Sequence, residues 1–189
     1  MSSETWFVVL IALVGLERLA ELVVSQRNTA WSLARGGREH GAGHYPFMVV
    51  LHTGLLAGAL VEVLLADRPF VPVLAWTMLA LVVLAQALRW WCITTLGKRW
   101  STRVVVVPGL PLVTGGPYRW LRHPNYVAVV LELLAVPLIH GAWLTAVVFT
   151  VGNAALLFVR IRAEEQALGK GYAESFGGRP RFIPEVRRG

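Results

Sequence analysis

The residues Gly115-Gly116-Pro117-Tyr118-Arg119-Trp120-Leu121-Arg122-His123-Pro124-Asn125-Tyr126 gather two cations, an imidazole and two phenols into one short stretch of a largely apolar chain. Paired glycines before Pro117 predict a turn, because glycine reaches positive φ freely and proline presets its own φ. Pro124 opens the apolar run Tyr126–Ile139, a favoured place for proline in the first turn of a helix. His123 then stands at a helix N-terminus, beside unpaired N–H groups and the positive end of the dipole, which suits a ligand carboxylate or phosphate. The plainer reading of the same residues is a basic anchor at a membrane interface.

A second reactive pattern is Arg160-Ile161-Arg162-Ala163-Glu164-Glu165. Arg160 and Glu164 are four apart and Arg162 and Glu165 three apart, so the spacing predicts two charge ladders on a helix. Read plainly, such a run is a solvated helix extension. It follows a membrane helix on the same side as His123, however, and Gly169, Gly171, Gly177 and Gly178 turn the chain after it. Tyr172 and Phe176, four apart, are placed to pack back as a lid.

The third set lies within apolar segments: Glu17, Arg18 and Glu21, then Glu62, Gln86, Arg89 and Glu132. Charges inside a bilayer are costly and face a bundle interior or a wet cavity. They either pair with one another to fix helix packing or line a polar cavity; their spread over four segments favours the cavity.

These residues need elements to position them. Hydrophobic residues make up 56% of the 189-residue chain, with 8 Trp, and the mean hydropathy of +0.58 excludes an ordinary soluble domain. Five segments approach the length of about 20 residues needed to cross a bilayer, roughly 5–25, 45–66, 70–96, 125–139 and 142–162. The expected fold is an all-α integral membrane protein with about five transmembrane helices. Arg68 alone among the basic residues falls on one side, Arg18 and Arg89 lie within helices, and the rest fall on the other side. The positive-inside rule therefore makes the N-terminus external and the face carrying His123 cytoplasmic. The net charge of +7 reads as orientation signal, not as a nucleic-acid surface.

Cys92 is the only cysteine, so no intrachain disulfide forms, and it reads as a small core hydrophobe. The N-terminus lacks the basic region of a cleavable signal. In the loop Ser25–Pro46, His40 and His44 have the spacing of a metal pair, with His52 the one further candidate. The glycines around them argue against a helix there, and no metal is assigned; the loop reads as re-entrant or interfacial. Residues Ser101–Pro111 are β-branched and bounded by prolines, which predicts an extended segment or hairpin over the cytoplasmic face.

Gly116-Pro117-Tyr118-Arg119-x-x-Arg122-His123-Pro124-x-Tyr126, followed by Arg160-x-x-x-Glu164-Glu165 and Tyr172, resembles the isoprenylcysteine carboxyl methyltransferase superfamily of integral membrane enzymes. Many members carry glycine two residues after the final Tyr, where this chain has Ala128. A longer set looks like one bacterial branch: Glu17-Arg18 with Glu21, Ser25-x-Arg27-Asn28-x-x-Trp31, Gly36-Gly37-x-Glu39-x-Gly41-x-x-His44-Tyr45 and Leu51-His52. It continues with Arg89-Trp90-Trp91-Cys92-Ile93, Leu96-Gly97 and Arg181-Phe182-Ile183-Pro184. Members of that branch accompany type III polyketide synthases and O-methylate alkylpyrones or alkylresorcinols.

The resemblance implies one methyltransferase domain over 1–189, with a cytoplasmic C-terminal segment 163–189 in an inner or plasma membrane. It implies S-adenosylmethionine as methyl donor, and a phenolic or enolic lipid as acceptor entering from the bilayer. Implied members of the cofactor site are Tyr118, Arg122, His123, Asn125, Tyr126, Arg160, Arg162, Glu164 and Glu165. Amides near His123 and Arg122 would receive the cofactor carboxylate, and Glu165, or else Glu164, its ammonium or ribose. No glycine-rich Rossmann turn exists to hold it otherwise.

An ionised carboxylate or pyrone enol needs no base, whereas a resorcinol hydroxyl with a pKa of about 10 benefits from one. Glu132 and the Glu17/Glu21 pair are candidate bases, with Arg89 or Arg18 to steady an oxyanion. Rival readings are a prenylcysteine-type carboxyl methyltransferase and a non-catalytic scaffold or transporter subunit. Membrane sterol reductases are much longer than this chain.

Overall fold

Each apolar run becomes one helix. The computed structural model describes residues 2–183 and has α1 Ser3–Leu33, α2 Tyr45–Leu65, α3 Pro72–Leu96, α4 Pro124–Leu138 and α5 Trp143–Phe176. Among the described residues, three helices (α2, α3 and α5, with their flanking turns) are long and apolar enough to cross a membrane, and α4 is a shorter apolar helix. α1 equals them in length but carries Glu17, Arg18 and Glu21 in its middle. The motif residue Pro184, and Arg187 and Arg188, lie outside the described residues.

The short helix is the central one. α4 buries Tyr126, Ala128, Val129, Glu132, Leu133 and Val136 and packs most extensively on α3, then on α5 and α2. Ala128 has no exposed surface, so its methyl group fits a tight contact. On α2 the small residues Gly54 and Gly58 let α5 come close: a Cβ on Gly54 would lie 2.9 Å from the Phe149 ring.

The far membrane end is closed by aromatic packing and one buried carboxylate. Phe7 and Phe70 flank His140, and Trp6 contacts Phe70 and Trp76. Glu62 accepts from the backbone N–H groups of Leu144 and Thr145 and from Arg68, capping the start of α5. Glu62 therefore does not join the other intramembrane charges. Its place in the sequence, three residues before the end of α2, puts it at the opposite end of the bundle.

Three expectations about the face carrying His123 are corrected. Helix α1 does not stop near Ser25 but runs to Leu33, since no glycine or proline lies between Ser25 and Gly36, which takes φ +76°. Asn28 and Trp31 thus lie on a helix. The interfacial loop is shorter and contains strand β1, Arg38–His40, paired antiparallel with β2, Val104–Val106, in the register Glu39↔Val105. The extended segment at Ser101–Pro111 forms, but its partner is the loop between α1 and α2 and not its own return strand. Pro108, Gly109 and Pro111 interrupt that return. Finally, α5 continues past Arg162 to Phe176, changing direction at Gly169 (φ 67°).

Candidate functional site

The turn before α4 forms as a 3-10 helix over Gly116–Arg119, and His123 takes the N-cap position with Pro124 as the first helical residue. His123 is 4% exposed, so its imidazole is fixed by protein groups. Nε2 lies 3.1 Å from a Glu165 oxygen and 3.1 Å from the Tyr172 hydroxyl, and Nδ1 lies 3.9 Å from Glu164. The ring stacks on Tyr126 at 5.3 Å.

Glu164 and Glu165 are neighbours with different duties. Glu165 is held by a bidentate pair with Arg181, at 3.0 and 2.7 Å, besides His123. Burial pulls its carboxyl upward, but the hydrogen bonds from Arg181 and His123 outweigh that and hold it below the usual carboxylate value. Glu164 accepts from the Tyr126 hydroxyl. Tyr126 in turn accepts from Arg160 Nε at 2.8 Å, and Arg160 also donates to the Thr102 carbonyl at 2.7 Å and reaches Met48 Sδ.

The expected charge ladders, Arg160–Glu164 and Arg162–Glu165, are therefore absent. All but Arg162 turn toward α4 or the C-terminal segment, and those tertiary partners displace the weak i,i+4 pairing. Arg162 instead covers the Phe158 ring at 3.9 Å.

These groups surround a cavity of about 190 Å³ lined by β2, with walls from Tyr118, Arg122, His123, Asn125, Tyr126 and Glu164, and with Arg160 and Tyr172 also contributing. Tyr172 stacks on Phe176 at 4.9 Å and closes one side. Burial pushes the Tyr172 and Tyr118 hydroxyls above the ordinary phenol value, so both are neutral donors. The Oδ1 of Asn125 is buried without a partner, an acceptor awaiting a donor.

The amides named as an anion cradle are not free. Arg122 N–H donates to Pro180 O at 3.0 Å and His123 N–H to Arg181 O at 3.2 Å. The Arg122 guanidinium is likewise tied to the carbonyls of Arg179 and Gly177. Residues 177–183 thus form a strap across the start of α4, which accounts for both lost cradle elements.

Arg162 does not line the cavity, nor does Glu165. Glu17, Arg18, Glu21, Arg89 and Glu132 meet one another instead. Arg89 grips Glu132 through two nitrogens, Arg18 lies 2.8 Å from Glu132, and Arg18 Nη2 reaches Gln86 at 3.2 Å. Arg89 Nε is 3.4 Å from Glu21. Six residues of α4 separate Tyr126 from Glu132, about 9 Å along the helix. Mutual pairing is what these charges do, and none of them walls the cavity.

Sequence reasoning missed Thr102, Met48 and Ser25. Ser25 and Thr102 share a 2.8 Å hydrogen bond that ties α1 to the segment over the cavity. A serine and an asparagine on the inward face of α1 were the available signal, since Asn28 also donates to Trp100 O at 2.8 Å. Arg181 belonged to a recognised motif without being assigned a role.

Beside the cavity, α4 and α5 leave an apolar groove of about 550 Å³ that Tyr126 also lines.

Comparison with known proteins places these features in context. The family model described as "Isoprenylcysteine carboxyl methyltransferase (ICMT) family" matches residues 78–170. An uncharacterized protein of Bacillus subtilis (strain 168), YpbQ, is 41% identical over 163 residues, 86% of this chain and 96% of that protein. An uncharacterized protein of Haemophilus influenzae is 24% identical over 159 residues, 84% of this chain and 92% of its own length. Among solved structures, the eukaryotic intramembrane Ras methyltransferase ICMT superposes with a TM-score of 0.56 at 24% identity. That match covers 75% of this chain but only 53% of the eukaryotic enzyme, and it is a likeness of fold.

Proposed function

Since the chain belongs to the isoprenylcysteine carboxyl methyltransferase family of membrane methyltransferases, we propose that it transfers a methyl group from S-adenosylmethionine to an oxygen of a membrane-partitioned lipid. The acceptor we favour is an enolic or phenolic polyketide lipid of the alkylpyrone or alkylresorcinol kind, which links the enzyme functionally to a type III polyketide synthase. The observation that carries the reading is Tyr126, which lines both a cavity of mixed walls that carries charged groups such as Arg160 and Glu164 and a separate apolar groove. A donor that is soluble and an acceptor that is greasy can meet only at such a boundary.

The cavity residues suit the methyl donor. Asn125 Oδ1 is a buried acceptor without a donor, which the ammonium or the adenine amino group would supply. Glu164 lines the cavity and offers a carboxylate to the same ammonium or to ribose hydroxyls. The faces of Tyr118 and Tyr126 attract a sulfonium as they would any cation. Bound there, the donor supplies a methyl carbon on a positively charged sulfur. The cavity, of about 190 Å³, is roofed by residues 104–113 and is not sealed from its surroundings.

The protein's part in the reaction is alignment and exclusion of water. His123, locked by Glu165 and Tyr172, fixes the wall between cavity and groove, and Arg160 and Glu164 fix the Tyr126 hydroxyl. The orientation that fits the charge distribution puts the N-terminus outside and the cavity at the cytoplasmic side of the inner or plasma membrane.

Calorimetry with the detergent-purified protein tests the donor: micromolar S-adenosylmethionine binding that is lost in His123→Ala supports the reading, and no binding by a folded sample overturns it. Radiolabel transfer to an alkylpyrone, an alkylresorcinol and a prenylcysteine, run side by side, separates polyketide acceptors from the carboxylate of the prenylcysteine alternative.

A further inference from the structure

The groove between α4 and α5 has apolar walls from Val130, Leu131, Ala154, Leu157 and Phe158, and a rim made by Arg162, Arg181, Phe182 and Ile183. Phe158 and Ile183 are exposed, so the groove opens sideways, toward where lipid would be. From Arg162 at the rim to Ala154 in the wall is eight residues of helix, roughly 12 Å of apolar depth. Its volume of about 550 Å³ falls within the range of ordinary ligand pockets.

Two features of this groove are chemical, not merely apolar. The rim carries two guanidinium groups. Arg181 is paired with Glu165, while Arg162 has no carboxylate within 4.0 Å among the described residues and rests on Phe158. Among the described residues, two cations stand against one carboxylate at the rim. Moreover, no described residue lining the groove is a histidine or a carboxylate, the usual general bases.

We propose that this groove seats the acceptor, and that Arg162 and Arg181 select one that is already a monoanion on a single apolar tail: an acidic enolate or a carboxylate, not a neutral phenol. This rests on the methyl-transfer reading and narrows its substrate class. A phenol with a pKa of about 10 is neutral at pH 7 and would need a base that the groove lacks. With an anion, a lone pair of the acceptor oxygen forms the new C–O bond. The C–S bond breaks and its electron pair returns to sulfur, giving a neutral ether or ester and a neutral thioether, with no proton to place. The rim adjoins the cavity: Tyr126 lines both, and Phe182 of the groove lies 6.4 Å from the His123 ring of the cavity wall.

The test is photo-crosslinking of the full chain in phosphatidylcholine nanodiscs, without any methyl donor. The probe is a 16-carbon carboxylate with a diazirine near its tail end, beside the amide of the same tail. The expected result is labelling confined to residues 154–161 and 182–183, with the carboxylate favoured about tenfold over the amide. Arg162→Gln should reduce that preference at least threefold and Arg162→Lys should retain it. Equal labelling by the amide, or labels spread over the lipid-facing sides of α1–α3, overturns the proposal. So does displacement by phosphatidylglycerol but not by unlabelled carboxylate, which would make the groove a phospholipid site. Because the readout needs no turnover, selective labelling in a protein that never methylates any acceptor would sink the methyl-transfer reading while leaving the groove assignment standing.

Discussion

Glu165 touches His123 at 3.1 Å yet lies behind it, while its neighbour Glu164 faces the cavity and holds the Tyr126 hydroxyl. Adjacent residues on one helix point about 100° apart, so one can serve a ligand and the other a scaffold. Glu164→Gln should then weaken S-adenosylmethionine binding by about 1.5–3 kcal/mol, the range for hydrogen bonds to charged groups, or roughly ten- to a hundredfold in Kd. Glu165→Gln should change Kd less than threefold. Calorimetry on the two variants decides, and the opposite ranking would return Glu165 to the ligand role expected from sequence.

His123→Ala keeps the backbone and the start of α4 but removes the side chain between cavity and groove. Turnover should fall about a hundredfold or more, as when one preorganised catalytic contact is lost. Membrane insertion and helix content should be unchanged, because the apolar faces of α3, α4 and α5 are untouched. Radiolabel assay with circular dichroism checks both halves, and unchanged turnover would remove His123 from the site.

The strap should be pH-sensitive on the acid side. Glu165 has a folded value held below the ordinary 4.5, against burial, by hydrogen bonds from Arg181 and His123. Its contribution to stability is therefore fully present above pH 4.5 and is lost as pH falls through the lower folded value. Hydrogen exchange of residues 177–183 should rise only below about pH 4.5 in the parent. In Glu165→Gln it should already be raised at pH 7 and change little with acid. Protection that fades between pH 6 and 8 would point to another group.

Much of this architecture was legible in sequence because apolar length is a local property: five runs, five helices, with ends displaced where breakers stood. Helix α1 outruns its expected span of 5–25 because bilayer length bounds only the apolar part of a helix, and the chain first breaks near Gly36. The first stretch of chemistry, from Tyr118 to Tyr126, converged on a cavity as its motif suggested. What could not be read was which faces the second stretch would use. Spacing gave Arg160–Glu164 and Arg162–Glu165, but burial turned Arg160 to Thr102, Glu165 to Arg181, and Arg162 to Phe158. Thr102 and Arg181 lie 58 and 16 residues away, and no periodicity encodes them, whereas Phe158 is a competing neighbour four residues back on the same helix face. The strap's carbonyls on Arg122 and His123 are similarly non-local.

The intramembrane cluster should prove to be a fastener, not a base. Arg89 and Glu132 are 5% and 4% exposed and joined through two hydrogen bonds, and Arg18 adds a second cation to the same carboxylate. Glu132→Ala leaves Arg89 and Arg18 to share Glu21 and Glu17 among apolar helices, and breaking a buried pair on one side costs up to about 3–5 kcal/mol. Removing both partners with apolar residues of similar size, Arg89→Met with Glu132→Leu, should recover most of that loss, because no orphaned charge remains in the pair. A catalytic base behaves otherwise: its loss abolishes turnover whether or not the fold is restored. The measurement is a double-mutant cycle on thermal unfolding in detergent, with methyl transfer followed on the same samples. Restored stability with turnover within about tenfold of the parent identifies a structural pair. Restored stability with activity still absent would put Glu132 or Arg89 in the reaction.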